Sequence, residues 1–274
     1  MERWIDVPGG RLRSVADGDG RPIVLLHAGI AHLDSWDPMI PGLVAAGFRA
    51  IRYDNRGFGA TTTENVPFSN RADVVAVMDA WGAGRAALVG NSRGGAIAFD
   101  TAIEYPDRVV AVVGVGAGLG GFEGEATPEE VELFKEDERL ESADPVDADA
   151  LADLMVRIWV DGPGQSPDRV PATIREAVRA MARVPYLPGM TDGQPIPLDP
   201  NATARLADLR CPVLAVAGEL DTTEIAQTAR YLEANAPNAR AVLLPGVAHM
   251  IGMEAPGALN ELIVDFLRPL GTWS

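Results

Sequence analysis

The sequence has few cysteines that could cross-link it and few basic residues that could bind a polyanion. Its one cysteine, Cys211, cannot form an internal disulfide, so we expect a packed core to stabilise the fold in a reducing compartment. The 23 lysines and arginines face 39 acidic residues, which gives a formal net charge of −16. Because nucleic-acid backbones are bound by clustered cations, this balance argues against a nucleic-acid partner.

Long apolar runs are also missing. No run reaches the roughly 20 residues that a membrane span requires, so we expect a soluble protein without a membrane partner. The first residues, Met1–Trp4, do not begin the basic and then apolar pattern of a secretory signal. These features predict a cytoplasmic location.

Short aliphatic and β-branched runs alternate with stretches of helical periodicity. Most of the runs are apolar throughout, which is typical of parallel strands covered by helices on both faces. An antiparallel hairpin with a turn at Pro8-Gly9-Gly10 is predicted to precede them. The predicted strands are Arg3–Val7, Arg11–Ala16, Pro22–Ala28, Phe48–Asp54, Arg85–Asn91, Arg108–Val115, Pro212–Leu220 and Arg240–Leu244. The predicted helices are Trp36–Ala46, Ala72–Trp81, Arg93–Tyr105, Glu224–Ala234 and Ala255–Leu267.

One segment, residues 119–201, breaks this alternation. It has no strong strand signal but contains an acidic helical stretch, two further helical stretches over Ala148–Val160 and Pro171–Ala182, and an exit rich in proline and glycine. The pattern predicts one α/β core, formed by residues 1–118 and 202–274, with residues 119–201 inserted as a helical cap.

The segment Gly90-Asn91-Ser92-Arg93-Gly94 lies between a predicted strand and a predicted helix. This is the context of the nucleophile-elbow motif G-x-S-x-G. The glycines are needed because a Cβ at either position would collide with backbone in so tight a turn. We therefore predict that Ser92 is a catalytic nucleophile.

A serine hydroxyl needs a base and the base needs an orienting acid. The chain has three histidines, and only His249 follows the last predicted strand and precedes the last helix. Asp221 ends the strand that begins at Pro212, and Glu219, two residues earlier, is the rival acid. Asp221 is preferred, because Glu219 lies nearer the strand. The order Ser92, Asp221, His249 resembles that of the α/β-hydrolases.

Motifs across almost the whole chain resemble those of the α/β-hydrolase superfamily. Besides the elbow and His249, they are Leu25–Gly29, Arg52–Gly59 and Gly218–Asp221. The resemblance implies a mostly parallel sheet of about eight strands flanked by helices, with a helical cap above Ser92.

Backbone N–H groups usually stabilise the oxyanion in such sites. The N–H of Arg93, next to the nucleophile, is one expected donor. The loop after the first parallel strand resembles the His-Gly-x loop of the family but carries Ala28 in place of the usual glycine. The resemblance thus places the second donor at Gly29, with Ile30 as the alternate, and gives His27 a loop-bracing role.

A serine rather than an aspartate at the elbow argues against haloalkane dehalogenase or epoxide hydrolase chemistry, which uses a carboxylate nucleophile in relatives of this fold. We expect cleavage of a small carboxylic ester or lactone through an acyl-enzyme. The start of the elbow also resembles that of carbon–carbon bond hydrolases acting on meta-cleavage products. Those relatives usually have a tryptophan shortly after the histidine, and none follows His249. Enol-lactone hydrolases and cofactor-free haloperoxidases share the triad, and a ligand receptor with a slow triad is the alternative from another class.

Large apolar residues of the insertion are candidates for the roof of the substrate pocket, although most are expected to pack the cap onto the core. No cluster of histidines, cysteines and acids has metal-ligand spacing, so no metal or cofactor is expected. The oligomeric state, monomer or homodimer, stays open. The pocket candidates are Phe134, Met155, Trp159, Met181, Tyr186 and Met190.

Overall fold

A computed structural model describes residues 1–187, 189–191, 193–271 and 273. Its strands are β1 (Glu2–Val7), β2 (Gly10–Asp17), β3 (Arg21–Leu26), β4 (Phe48–Tyr53), β5 (Thr62–Thr63), β6 (Pro67–Phe68), β7 (Ala86–Asn91), β8 (Val109–Val115), β9 (Gln194–Pro195), β10 (Val213–Gly218) and β11 (Ala239–Leu244). Eight of them form the central sheet in the order β1-β2-β4-β3-β7-β8-β10-β11. The short β5 pairs with β2, while β6 and β9 form a separate pair.

The strands from β3 onward in this sheet run parallel, and β1 and β2 are the antiparallel hairpin. The predicted mostly parallel sheet of about eight strands is confirmed. The α-helices are α1 (Ile40–Ala45), α2 (Asn70–Ala80), α3 (Arg93–Glu104), α4 (Pro128–Glu141), α5 (Ala148–Val156), α6 (Ala172–Ala182), α7 (Thr223–Asn235), α8 (Ile251–Glu254) and α9 (Pro256–Leu267). None of these helices has the length and apolar character needed to cross a lipid bilayer.

Two apolar layers enclose the sheet. Side chains of β3 alternate between them: Val24 and Leu26 pack with α2, α3 and α7, whereas Ile23 and Leu25 pack with α1 and α9. Because both faces are covered, both sets of alternating positions must be apolar. This is the physical reason for the unbroken apolar runs in the sequence.

The first helix departs from its predicted limits, Trp36–Ala46. The chain forms a 3-10 helix over Leu33–Met39 and only then the short α1. Pro38 and Pro41 lie in this stretch, and a proline has no N–H to donate to a preceding carbonyl. The sequence pattern located the helical region but not the change of helix type.

The helix predicted over Ala148–Val160 also ends early. α5 stops at Val156, and a wider π-helical turn occupies Arg157–Asp161. Gly162 follows with φ of 91°, a value that favours glycine. Single π-helical turns are rare and frequently occur at functional sites.

The helices α4, α5 and α6 lie between β8 and β10, in the segment for which the sequence predicts a cap. A capping box begins α4: the Thr127 hydroxyl accepts the Glu130 N–H at 3.3 Å, and the Glu130 carboxylate accepts the Thr127 N–H at 2.7 Å. The same carboxylate accepts the Thr223 N–H at 2.6 Å. The insertion is thereby bonded to the start of α7, while its status as a separate cap domain stays a prediction.

Candidate active site

Ser92 lies in a strained turn between β7 and α3. Its φ and ψ are 55° and −119°, and it is the one residue other than glycine with positive φ in the described part of the chain. A Cβ on Gly90 would lie 2.2 Å from the Gly94 carbonyl oxygen, and one on Gly94 would lie 2.3 Å from the Leu26 carbonyl oxygen. The flanking glycines therefore allow a backbone approach that no other residue type could make. Such a conformation costs about 1–3 kcal/mol and is typical of functional turns.

Asp221 and His249 form a buried pair in the loops after two neighbouring parallel strands, since β10 ends at Gly218, short of the predicted Leu220, and β11 ends at Leu244. His249 Nδ1 lies 2.8 Å from Asp221 Oδ2, and the two side chains are 2% and 0% exposed. An ionised carboxylate can only accept a hydrogen bond, so Nδ1 carries the proton and Nε2 is left as the acceptor. The Thr222 N–H also donates to Asp221 Oδ1 at 2.8 Å. The His249 tautomer with its proton on Nδ1 is the one that a general base requires.

The rival acid, Glu219, is bound elsewhere. Its Oε2 accepts the Gly246 N–H at 3.2 Å, in the loop that leads to His249. The structure thus brings Asp221, and not Glu219, to the imidazole ring.

Asn91 connects the elbow with the loop that carries His249. Its Nδ2 donates to the Val115 carbonyl at 2.9 Å and to the His249 carbonyl at 3.3 Å. A Cβ on Gly116 would lie 3.1 Å from His249 Nδ1 and 3.3 Å from Asn91 Nδ2. The sequence analysis assigned Asn91 no role. The signal that could have found it is a polar residue in an otherwise apolar strand, because a buried amide must find hydrogen-bond partners.

The Ser92 hydroxyl makes no hydrogen bond with His249 or with another side chain in the described ranges. Both residues nevertheless share one edge of the sheet, because Asn91, next to Ser92, reaches the backbone of His249. Catalytic hydrogen bonds in ligand-free sites are often long and shorten when substrate binds. The geometry therefore provides an oriented base and a strained serine at one edge of the sheet.

Trp159, in the π-helical turn, contacts the base from the insertion. Its ring centroid lies 4.5 Å from that of His249, and Phe134 packs behind it at 6.3 Å. Trp159 is thus a neighbour of the predicted base itself. Met155 packs inside the insertion with Leu151.

A cavity of about 490 Å³ opens beside the elbow. Among the described residues that line it, Arg93 is the cation, with its guanidinium 5.1 Å from the Phe58 ring centroid, and Glu141 is the acid, which accepts the Tyr186 hydroxyl at 2.7 Å. Of the predicted pocket residues, Tyr186 and Met190 line this cavity, whereas Met181 is buried in an apolar cluster under the insertion. The lining residues are Gly29, Gly57, Phe58, Arg93, Glu141, Pro185, Tyr186, Met190 and Thr191.

The two predicted oxyanion donors share a wall of that cavity. An ideal Cβ on Gly29 would lie 3.8 Å from both Cβ and Cδ of Arg93, so the loop after β3 runs along the Arg93 side chain. Ile30, the alternate donor, packs its side chain against apolar clusters of the insertion. The donor roles of these backbone groups stay a prediction.

His27 is held neutral in the loop after β3. Its Nε2 accepts the Asn55 N–H at 2.9 Å, so Nδ1 carries the proton and donates to the Ala28 carbonyl at 2.8 Å. Burial lowers the pKa of His27 from 6.5 to about 3, because a charged ring would lose its hydration. Both ring nitrogens are engaged, so His27 braces the loop and is not available as a base.

No group of three or more histidine, cysteine or acidic side chains that could hold a metal ion occurs within residues 1–187, 189–191, 193–271 and 273.

Curated proteins similar to this chain catalyse several reactions. Epoxide hydrolase B of Mycobacterium tuberculosis is 35% identical over 130 residues, which cover 44% of this chain and 36% of that protein. The chain thus matches about a third of the length of that relative. A 2-hydroxy-6-oxononadienedioate/2-hydroxy-6-oxononatrienedioate hydrolase of Comamonas testosteroni is 29% identical over 261 residues, which cover 91% of this chain and 88% of that protein.

A solved structure and a family model also match most of the chain. Est816, described as an N-acyl homoserine lactone degrading enzyme, has a TM-score of 0.74 and 26% identity, with 96% of this chain and 100% of that chain covered. The model of the alpha/beta hydrolase fold matches residues 21–256. With its sheet order and its strand-turn-helix elbow, the chain therefore belongs to the α/β-hydrolase fold family.

Proposed function

We propose that this protein is a serine hydrolase that cleaves a small carboxylic ester or lactone through an acyl-enzyme on Ser92. The observation that carries the proposal is the fixed His249 tautomer: Nδ1 is bonded to buried Asp221, and Nε2 is left to accept a proton. A strained serine directly after β7, another parallel strand of the same sheet, is the matching nucleophile. Acyl transfer is the reaction that this combination performs in unrelated folds.

The reaction proceeds in two halves. The Ser92 oxygen attacks the substrate carbonyl while His249 Nε2 takes the hydroxyl proton. The N–H groups of Arg93 and Gly29 stabilise the oxyanion. The tetrahedral intermediate then breaks the bond between the carbonyl carbon and the leaving-group oxygen. That oxygen receives the proton from His249.

In the second half, His249 removes a proton from water, which attacks the acyl carbonyl. The second intermediate releases the carboxylic acid product and returns the proton to the Ser92 oxygen. For a lactone the leaving group is part of the same molecule, so one hydroxy acid is the product. The cavity of about 490 Å³, with Arg93, Glu141 and Tyr186 on its wall, supports a small substrate that carries polar groups. The likeness to Est816 supports the lactone version.

A carbon–carbon bond hydrolase is the second candidate. The Comamonas testosteroni hydrolase matches 91% of this chain, a broader match than the partial one to Epoxide hydrolase B. An indole beside the base is present too, although Trp159 comes from the insertion and not from the segment after His249. Epoxide opening is disfavoured because Ser92 stands where that chemistry uses a carboxylate.

The test compares three proteins on p-nitrophenyl esters of increasing acyl length, on γ- and δ-lactones and on a vinylogous 1,5-diketone. They are the wild type, Ser92→Ala and the control Ser142→Ala, which removes an exposed hydroxyl at the end of α4. We expect repeated turnover of short esters or lactones, a loss of about ten-thousand-fold or more in Ser92→Ala and no change in Ser142→Ala. Cleavage of the diketone alone would replace the proposal with the second candidate. A single equivalent bound without turnover would indicate a receptor.

A further inference from the structure

Arg169 bonds the insertion to the loop that carries the base. On the insertion side its guanidinium donates to the carbonyls of Val160 at 2.5 Å and Asp161 at 2.9 Å, at the end of the π-helical turn. On the core side it donates to the Gly246 carbonyl at 3.2 Å and to Glu254 Oε2 at 2.5 Å. One side chain thus satisfies four acceptors from two separate parts of the chain.

Glu254 transmits this contact to the residue before His249. Its side chain is 5% exposed, and its Oε1 accepts the Ala248 N–H at 3.2 Å. Burial raises the pKa of Glu254, and the neighbouring Arg169 acts in the opposite direction. A buried carboxylate is costly without a partner, so the Arg169 cation compensates for the burial of the Glu254 carboxylate that accepts the Ala248 N–H.

Gly162, directly after the π-helical turn, contacts residues next to Asp221 and His249. A Cβ on Gly162 would lie 2.4 Å from the Leu220 carbonyl oxygen and 3.4 Å from the Ala248 Cβ. Leu220 and Ala248 are the residues immediately before Asp221 and His249. The Trp159 ring covers the imidazole itself. Insertion residues therefore enclose the Asp221–His249 pair through backbone and side-chain contacts.

We propose that Arg169 and Glu254 are positioning residues that fix the His249 ring between Asp221 and Ser92 through the backbone of Ala248. The consequence for catalysis rests on the proposed function, but the effect on the ring does not. Removing the guanidinium breaks four hydrogen bonds and leaves Glu254 without its cation, so the Ala248–His249 backbone gains freedom. A displacement of about 1 Å at a catalytic group lowers a rate by roughly a hundredfold.

The first readout is exchange of the His249 Nδ1 proton with solvent, followed by NMR in protein labelled with ¹⁵N-histidine. His27 provides an internal reference, because its Nδ1 proton is bonded to the Ala28 carbonyl, away from Arg169. In Arg169→Met we expect at least tenfold faster exchange at His249 and unchanged exchange at His27. The matched control is Arg179→Met, which removes another arginine of the insertion that bonds Asp149 and Asp153 on the exposed face of α5.

The second readout is steady-state kinetics on the ester or lactone that the wild type prefers. For Arg169→Met we expect kcat to fall about 10- to 100-fold with KM within about threefold, whereas Arg179→Met matches the wild type. Arg169→Lys keeps the charge next to Glu254 but cannot bond four acceptors, so it should fall between the two. Glu254→Gln loses the ion pair but retains an acceptor, so its effect should be smaller than that of Arg169→Met.

Wild-type exchange at His249 in folded Arg169→Met would overturn the proposal. If exchange rises at both His27 and His249, the fold of Arg169→Met has loosened as a whole, and the milder variants Arg169→Lys and Glu254→Gln are measured instead. Wild-type exchange at His249 in these two variants would overturn the proposal. Faster exchange at His249 with unchanged exchange at His27 would support it. A wild type without hydrolytic turnover whose His249 exchange still responds to Arg169→Met would refute the proposed function and leave the positioning role standing.

Discussion

Two buried histidines follow parallel strands at the same edge of the sheet, and they differ in the hydrogen bonding of their Nε2 atoms. His27 and His249 both direct Nδ1 to an oxygen acceptor, at 2.8 Å in each case. At His27 the Asn55 N–H occupies Nε2, whereas at His249 no described residue bonds Nε2. The acceptor also differs, because His27 bonds a neutral carbonyl and His249 bonds the Asp221 carboxylate.

This difference separates a structural histidine from a candidate base. A ring with two satisfied nitrogens and a neutral acceptor is stable only when uncharged, whereas a ring beside a carboxylate can accommodate the charge that arises during proton transfer. Burial and residue type are the same in both, so neither indicates reactivity. The two histidines are distinguished by the hydrogen bonding of Nε2 and by the charge of the group that accepts the Nδ1 proton.

The largest expected effect comes from replacing each histidine by glutamine. His249→Gln should lower kcat about ten-thousand-fold or more, because no base then removes the Ser92 proton. His27→Gln should stay within about tenfold of the wild type, since a glutamine oxygen can still accept the Asn55 N–H, and loss of the second bond should cost about 1–2 kcal/mol of stability. Initial rates with p-nitrophenyl butyrate and urea denaturation measure the two effects. Equal losses of activity in both variants would remove the distinction between the two histidines.

The acid partner provides the next test. Asp221→Asn should reduce kcat by about ten-thousand-fold, because an amide nitrogen can donate to Nδ1 and so favours the wrong tautomer. Glu219→Gln, two residues earlier, should change kcat less than about threefold, since its oxygen accepts the Gly246 N–H and a glutamine oxygen can do the same. The kcat values of these two variants are compared on one substrate, with circular dichroism as the check on folding. A greater loss in Glu219→Gln than in Asp221→Asn would identify the wrong acid here.

The smallest effect concerns stability at low pH. The pKa of His27 is about 3 in the folded protein, against its ordinary 6.5, so between these values only the unfolded chain holds the proton. The free energy of unfolding therefore falls as the pH drops below 6.5, by about 2 kcal/mol from this group between pH 7 and pH 5.

Urea denaturation of wild type and His27→Gln at both pH values isolates that contribution. Buried carboxyls such as Asp73, whose pKa is raised by burial, shift stability in the opposite direction but are present in both proteins. The stability of the wild type relative to His27→Gln should therefore fall by about 2 kcal/mol from pH 7 to pH 5, which cancels or reverses its advantage of about 1–2 kcal/mol. An unchanged difference would mean that the folded protein accommodates a charged His27.

The positions of the strands along the chain and the elbow could be predicted because both depend on local sequence. Covered parallel strands need unbroken apolar runs, and a turn as tight as that at Ser92 needs Gly90 and Gly94 on either side of it. Asp221 and His249 could be proposed from their places after strands, since parallel strands bring their carboxyl ends to one edge. The hydrogen bond between them is information that only the structure supplies.

The contacts of the insertion could not be predicted, because they depend on long-range packing. Arg169 lies 77 residues from Gly246 and 85 from Glu254 along the chain, and no local pattern marks an arginine with four acceptors. The sequence makes Trp159 a pocket candidate, but the π-helical turn that directs it to His249 leaves no clear trace in helical periodicity. Only Tyr186 and Met190 among the pocket candidates line the cavity beside Arg93.

Gly162 has a consequence for building chimaeras from this family. At this residue the insertion meets the core backbone to backbone, with no room for a Cβ before the Leu220 carbonyl. Flexible side chains at a graft junction can repack, but backbone atoms in direct contact cannot. A chimaera that keeps residues 157–169 of this chain preserves the contact between Gly162 and Leu220. A chimaera that replaces all of residues 119–201 brings in a turn that fits the loop before the acid of another protein. The transferable unit is therefore smaller than the insertion, and its boundary follows the contact with Leu220.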